Sequence, residues 1–282
     1  MPCRLLFVFL CLMISLVARE QIEIVQSHLI SFKADHPDFK QLDPDRFSQE
    51  VLQVQQMLAK VLKVSQRPIP LNPMELLSLQ NSEGLYLLMR HGEQAMGPTI
   101  VSLQEAEKKI AMMREEENIT SPITDSSLID LFAIALAVVY LDHPFLHWSI
   151  ESSHNTRAKE AGELIAFALQ LPCTLESDWN CVNYPTHLST EELIRLLPGG
   201  TLPWKRLLVD QVIGEGTYDK ITRHIQQSIY PELGQAKIAI THTQQLNACA
   251  EKLNLPVIRM GNYAFIVGQI KSGSIHYRMG KF

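Results

Sequence analysis

Three short segments of this chain concentrate side chains that can do chemistry together: Arg90-His91-Gly92, Ser152-Ser153-His154-Asn155-Thr156-Arg157 and Thr241-His242-Thr243. A guanidinium offers a planar fork of donors that fits two oxygens of a phosphate, and a neutral imidazole nitrogen can attack an electrophile or carry a proton. A single histidine after a strand is more often a cap or a packed core residue. Here three such segments agree, because each directly follows a stretch patterned as a strand. Together they predict a small cationic pocket for a phosphate group.

The elements that would position them read as follows. Leu85-Tyr86-Leu87-Leu88-Met89, opened by Gly84, is a continuous apolar run of the kind found in a strand buried on both faces. Phe145 to Ile150 reads as a second strand and Ala236-Lys237-Ile238-Ala239-Ile240 as a third. Helical spacing spans Asp130 to Leu141, Ala158 to Leu171 and Gln244 to Leu253, and Tyr263–Val267 and Ser274–Tyr277 close the chain as strands. Strands alternating with helices predict an α/β fold, with a mostly parallel central sheet flanked by helices on both faces. Ligands of such sheets bind at the carboxyl ends of the strands. All three reactive segments fall there.

Composition narrows the possibilities. The 282 residues are 46% hydrophobic and 20% charged, with a net charge of −5. That balance excludes collagen-like, disordered and multi-span membrane classes and gives no general attraction to nucleic acid, so an anion must meet a local cationic site. Residues 1–18 begin with Arg4 and continue into the apolar run Leu5–Val17, the outline of a signal peptide rather than a stable membrane span. The protein is therefore expected to be secreted or periplasmic, although Leu16 is large for its place before a cleavage after Ala18, and a start at Met13 would leave it cytoplasmic. Residues 19–80 form a helical extension in which Val51, Val54, Met57, Leu58, Val61 and Leu62 share a face, ended by Pro68, Pro70 and Pro73. Residues 81–282 form the α/β domain. Cys173, Cys181 and Cys249 are an odd set without CxxC spacing, either free thiols or one Cys173–Cys181 pair, and no cysteine metal site is expected.

The motifs also resemble a known family. Tyr86-Leu87-Leu88-Met89-Arg90-His91-Gly92-Glu93 resembles the signature of the histidine phosphatase superfamily, the phosphoglycerate-mutase-like proteins. Pro122-Ile123-Thr124-Asp125 resembles its Pro-Leu-Thr-Glu segment, Ser152-Ser153 with Arg157-Ala158 its Ser-Ser-x-x-x-Arg-Ala motif, and Ile240-Thr241-His242 its second histidine block, all in family order. The resemblance covers residues 84–280. It implies that His91 is the nucleophile that carries a transient phosphoryl group, that Arg90 and Arg157 clamp the equatorial oxygens, and that His242 completes the pocket by donating to the same group. It implies that Gly92 lets the backbone approach the phosphate, a role to set beside that of a plain turn residue. Positioning and charge compensation suffice for phosphoryl transfer, so neither metal nor cofactor is expected.

The proton donor is less sharply marked. Leu175-Glu176-Ser177-Asp178-Trp179-Asn180 resembles the family's Leu-x-Glu-x-Asp-Phe-Gly region, with Asn180 in the place of glycine. The resemblance implies that Glu176 is the general acid, with Asp178 second. Thr243 follows the second histidine where the acid-phosphatase and phytase branch has aspartate, so the chain resembles the mutase-like branch. Ser153 and Thr156 can offer hydroxyl contacts or cap a helix. The stretch from His187 to Tyr230 corresponds to the family's lid-like insertion. The expected activity is hydrolysis of a small phosphomonoester. A phosphomutase of the same family, or a silent phospho-ligand binder, are the alternatives.

Overall fold

The computed structural model describes residues 82–93, 122–124, 146–169, 171–181, 187–196, 205–255 and 263–281, with single positions between 49 and 135. The expected signal peptide, nearly all of the expected extension, Trp204 and Pro198-Gly199-Gly200 lie outside them. The four described positions within 47–64, namely Gln49, Leu52, Gln53 and Gln56, are helical, as is every described position from Asp130 to Ala135.

The elements run β1 (Gly84–Arg90), β2 (His147–Ser152), α1 (Thr156–Leu169), β3 (Cys173–Leu175), a 3₁₀ turn (Ser177–Trp179), α2 (Thr190–Leu196), α3 (Arg206–Val212), α4 (Thr217–Ser228), β4 (Gln235–Thr241), α5 (Thr243–Lys252), β5 (Ala264–Lys271) and β6 (Ser274–Lys281). The six strands form one sheet in the order β3-β2-β4-β1-β5-β6. Pairings β3–β2, β2–β4 and β4–β1 are parallel, whereas β1–β5 and β5–β6 are antiparallel, so β5 alone runs against the others. The fold is α/β with a mostly parallel sheet, as the alternation of strands and helices predicted.

Why the sheet forms is visible in its centre. Leu85, Leu87, Leu88 and Met89 are each at most 2% exposed, because β1 has neighbours on both edges and helices over the sheet. One face is covered by a cluster that joins Tyr86, Leu88 and Ala239 to Trp179, Val209, Ile221, Ile225 and Leu246, contributed by the 3₁₀ turn, α3, α4 and α5. On β2 the side chains alternate: Glu151 meets the Trp179 ring nitrogen on that face, while Ser152 faces α1 on the other. There a Cβ on Gly162 would lie 2.7 Å from the Ser152 Cβ, so glycine allows α1 to sit close against β2.

Several boundaries shift by one or two residues from the sequence expectation, and β5 and β6 each run four residues beyond it. The larger difference is β3 with its following turn, and helices α2 to α4. Cys173–Leu175 is an edge strand of three residues with exposed Thr174, too short to show a period. Helix α4 does carry a clear apolar stripe, with Ile221 and Ile225 buried, and it belongs to the core rather than to a detached lid. Gly214-Glu215-Gly216 is the turn into this helix, with Gly214 and Gly216 at φ of 141° and 80°. His147 opens β2 with its side chain exposed.

Candidate active site

Three ladders run on past the carboxyl ends of their strands and deliver the reactive residues. His91 N donates to Thr241 O at 3.1 Å, prolonging the β1–β4 pairing by one residue. Ser153 N donates to Ile240 O at 3.1 Å, prolonging β2–β4, and Glu176 N to Ser152 O at 2.8 Å, prolonging β2–β3. Arg90 is the last residue of β1, His242 the residue before α5, and Arg157 lies in the first turn of α1. Sheet register alone therefore gathers segments far apart in the chain.

His91 is 2% exposed, and its Nδ1 lies 2.6 Å from Gly92 O. A carbonyl only accepts, so Nδ1 carries the proton and Nε2 keeps its lone pair. Arg157 Nε donates to that Nε2 at 3.1 Å. Burial holds the His91 pKa well below 6.5, and the charges of Arg90, His242 and Arg157 push it in the same direction against the Gly92 bond. Nε2 is thus presented neutral and unprotonated.

The His242 ring stands edge-on to His91, with centroids 5.0 Å apart. His242 is 2% exposed, and burial followed by Arg157 and Arg90 holds its pKa well below 6.5. Arg157 is 3% exposed. Arg90 is brought down to about 10, by desolvation first and by the charge of Arg157 second. Two guanidiniums close enough to oppose each other's charge call for an anion between them. Arg90, His91, Arg157 and His242 are therefore brought together.

Gly92 has a packing reason to be glycine, whatever role it has toward a phosphate. A Cβ there would lie 2.6 Å from Ser127 Oγ and 2.8 Å from the Tyr263 hydroxyl, so the residue must be glycine to let those side chains pack beside the loop. Ser127 in turn accepts from Glu93 N at 2.6 Å.

Glu176 and Asp178 stand apart from the four. Among the described residues no hydrogen bond joins the Glu176 carboxylate to any of them. Its charge is felt at His224 on α4, whose Nδ1 lies 3.2 Å from Asp178 Oδ2. Asp178 and His224 line a cavity of about 470 Å³ with Lys220 and Arg223, beside Trp179, whose ring the His224 imidazole meets edge-on at 4.6 Å.

The residues that motif reading passed over are those that hold the loop after β3 against the strand ends. Asn180 Oδ1 accepts from His154 N at 2.7 Å, Asn155 Oδ1 accepts from Cys181 N at 2.8 Å, and Trp179 O accepts from Thr241 Oγ1 at 3.0 Å. Gln245 donates to Asn180 O. Asn180, where the family pattern has glycine, acts as a clasp. Asn155, not Thr156, serves as the helix cap, its carbonyl accepting from Ala158 N and Lys159 N. Ser152 Oγ donates to Ala158 O at 2.7 Å, while Ser153 Oγ reaches His242 Nε2 at 3.0 Å. Cys181 lies against Arg157, and its Sγ is 3.2 Å from Gln244 Oε1. Cys173, Cys181 and Cys249 are all free thiols.

No family model and no curated protein matches the chain. Solved structures similar to it include phosphatases and a phosphoglycerate mutase. One is a mycobacterial glucosyl-3-phosphoglycerate phosphatase in complex with VO3, at 14% identity over 71% of this chain and 98% of that one, TM-score 0.46. Another is a putative phosphohistidine phosphatase from Agrobacterium tumefaciens, at 12% identity over 71% and 97%, TM-score 0.37. A phosphoglycerate mutase from Plasmodium falciparum gives 12% identity over 70% and 99%, TM-score 0.30. Among the described residues, no three His, Cys, Asp or Glu side chains are grouped to hold a metal, and no helix is long and apolar enough to cross a membrane.

Proposed function

We propose that this chain hydrolyses small phosphomonoesters through a phosphohistidine on His91. The observation that carries this reading is the state of His91: Nδ1 committed to Gly92 O, and the Nε2 lone pair held beside Arg157 Nε. Nε2 gives up its hydrogen bond from Arg157 Nε and attacks phosphorus as the bond to the leaving oxygen breaks. The charge spread over the three equatorial oxygens is met by Arg90 and Arg157, donors fixed before the reaction begins. Water then attacks phosphorus as the phosphorus–nitrogen bond breaks, freeing phosphate and returning the electron pair to Nε2, and the proton lost by the water goes to the general acid that gave one up in the first step. Burial keeps this nitrogen free of a proton well below pH 6.5, so His91 remains competent in mildly acidic solution.

The leaving oxygen needs a proton, and in this reading Glu176 supplies it. Its backbone is pinned to the end of β2, one residue from Ser153, whereas Asp178 is engaged with His224. The test uses leaving groups of different basicity. Nitrophenolate leaves without help, but an alkoxide does not, so Glu176→Gln is expected to slow alkyl phosphate hydrolysis by roughly 10²–10³-fold and p-nitrophenyl phosphate hydrolysis by only a few-fold. Asp178→Asn should leave both rates near the unmodified level. Equal small effects of Glu176→Gln on both substrates would remove Glu176 from the mechanism. Transfer of the phosphoryl group to a second hydroxyl of the product, in place of release to water, would identify a mutase.

A further inference from the structure

The hydrogen-bond count around Ser153 fixes more than the position of His242. Four groups converge on the Ser153 hydroxyl. Asn155 N donates to it at 3.1 Å, Asn155 Oδ1 and Asn180 Oδ1 each lie 2.9 Å from it, and His242 Nε2 lies at 3.0 Å. The two amide oxygens cannot be exchanged for their nitrogens, because each also accepts a backbone N–H, from Cys181 and His154 respectively. A hydroxyl owns one proton. If it went to His242, both amide oxygens would face the serine oxygen at 2.9 Å with no proton in either contact. If His242 Nε2 donates instead, the serine proton serves one of them and the number of bare oxygen–oxygen contacts is halved.

We propose that Ser153 holds the His242 proton on Nε2, leaving Nδ1 as a bare acceptor at the pocket, so that the site takes up its phosphate ligand together with one proton. This rests on reading the site as a phosphate pocket. Two further observations point the same way. His242 Nδ1 is buried and has no hydrogen-bond partner among the described residues, an arrangement that an arriving donor would satisfy. Among the described residues, the charges that act on His242 are those of Arg157 on α1 and Arg90 at the end of β1, with the His91 ring edge-on beside it and no carboxylate among them. With two fixed cations beside it and no anion, the empty pocket keeps the second ring proton off, in keeping with the low pKa that burial also imposes.

A phosphoryl dianion reverses that balance. It presents lone pairs to a lone pair on Nδ1, a repulsion that one proton between them turns into a hydrogen bond. The proton comes with the ligand, as a monoanion bearing an O–H, or from solvent onto His242. Thermodynamically these are the same uptake. The serine is thus a positioning residue that sets which protonation state of a phosphomonoester the pocket accepts. It alters the role that the resemblance gives to His242, which receives a hydrogen bond from the protonated ligand or becomes a donor only by gaining charge.

The experiment is titration calorimetry of the full chain with inorganic phosphate near pH 8, where the ligand is mostly dianionic, in buffers of different ionisation enthalpy. Uptake of about one proton per phosphate bound is expected, with affinity falling roughly tenfold per pH unit above the ligand's second ionisation. Binding with no net proton uptake would overturn the proposal and leave the phosphate pocket standing. Failure to bind phosphate at any pH would overturn the pocket itself. The nitrogen-15 spectrum of the ligand-free protein should show His242 with Nδ1 bare and Nε2 protonated, and the opposite tautomer would refute the assignment without any substitution. Ser153→Ala should still bind phosphate but with uptake well under one proton, and Ser153→Thr should restore it. Unchanged uptake and tautomer in Ser153→Ala would deny the serine its role.

Discussion

Hydrolysis of p-nitrophenyl phosphate is expected to fall by about 10⁴-fold or more in His91→Ala, with chelator leaving the unsubstituted protein's rate unchanged. The magnitude follows from the division of labour in the pocket. Arg90, Arg157 and His242 can hold a phosphate, but the guanidiniums have no lone pair to give and the His242 Nδ1 lone pair meets the ligand through a proton, so none of them attacks phosphorus. Without His91 the only attacking group is water, which no described side chain orients. The substitution is mild for the fold. The ring makes one hydrogen bond to the adjacent Gly92 carbonyl and one contact with Arg157, and the β1–β4 ladder at His91 is made by its backbone. A melting temperature within a few degrees of the unmodified protein, together with retained phosphate binding, would show that the loss is chemical. Hydrolysis surviving within about tenfold would contradict the assignment.

Arg157→Lys is the second large effect, expected to lower kcat/KM by about 10³-fold despite conserving the charge. Arg157 Nε is spent on His91 Nε2, leaving the two terminal nitrogens of the fork for phosphate oxygens and for the Cys181 sulfur. An ammonium has neither the third nitrogen nor the plane, so lysine cannot hold the imidazole and bridge two oxygens at once. At a site 3% exposed, a lysine would also be driven toward its neutral form by burial and by Arg90. Steady-state kinetics on p-nitrophenyl phosphate would check this. A lysine variant within fivefold of the unmodified protein would mean that Arg157 supplies charge alone.

How much of this was legible beforehand divides by physical cause. The continuous apolar runs of β1 and β4 are buried on both faces, so burial dictated their composition, and the residues following them landed at one end of the sheet. Arg90, His91, Arg157 and His242 were readable for that reason. Edge strand β3 is hidden because three partly exposed residues carry no period, and α4 because it lay in a stretch read as an insertion. Asn155 and Asn180 were invisible in a stronger sense. An asparagine that clasps a loop looks like any turn residue until the backbone N–H groups of His154 and Cys181 are seen converging on the two amides. At Gly92 the packing against Ser127 and Tyr263 could not be read from the sequence, because both side chains come from distant segments. At Glu176 geometry adds least to the motif, since its charge is felt at His224 and no hydrogen bond ties its carboxylate to the described residues of the pocket.

The most direct test is to quench the protein during turnover of a slowly hydrolysed phosphomonoester and map the phosphoryl group by mass spectrometry under alkaline conditions, which preserve phosphohistidine. The mechanism requires a label that is stable to base and labile to acid, carried by the peptide containing His91, attached at Nε2, and absent from His91→Ala. Steady turnover with no label at His91 at any time, or with the label on His242 or an acidic residue, would contradict it.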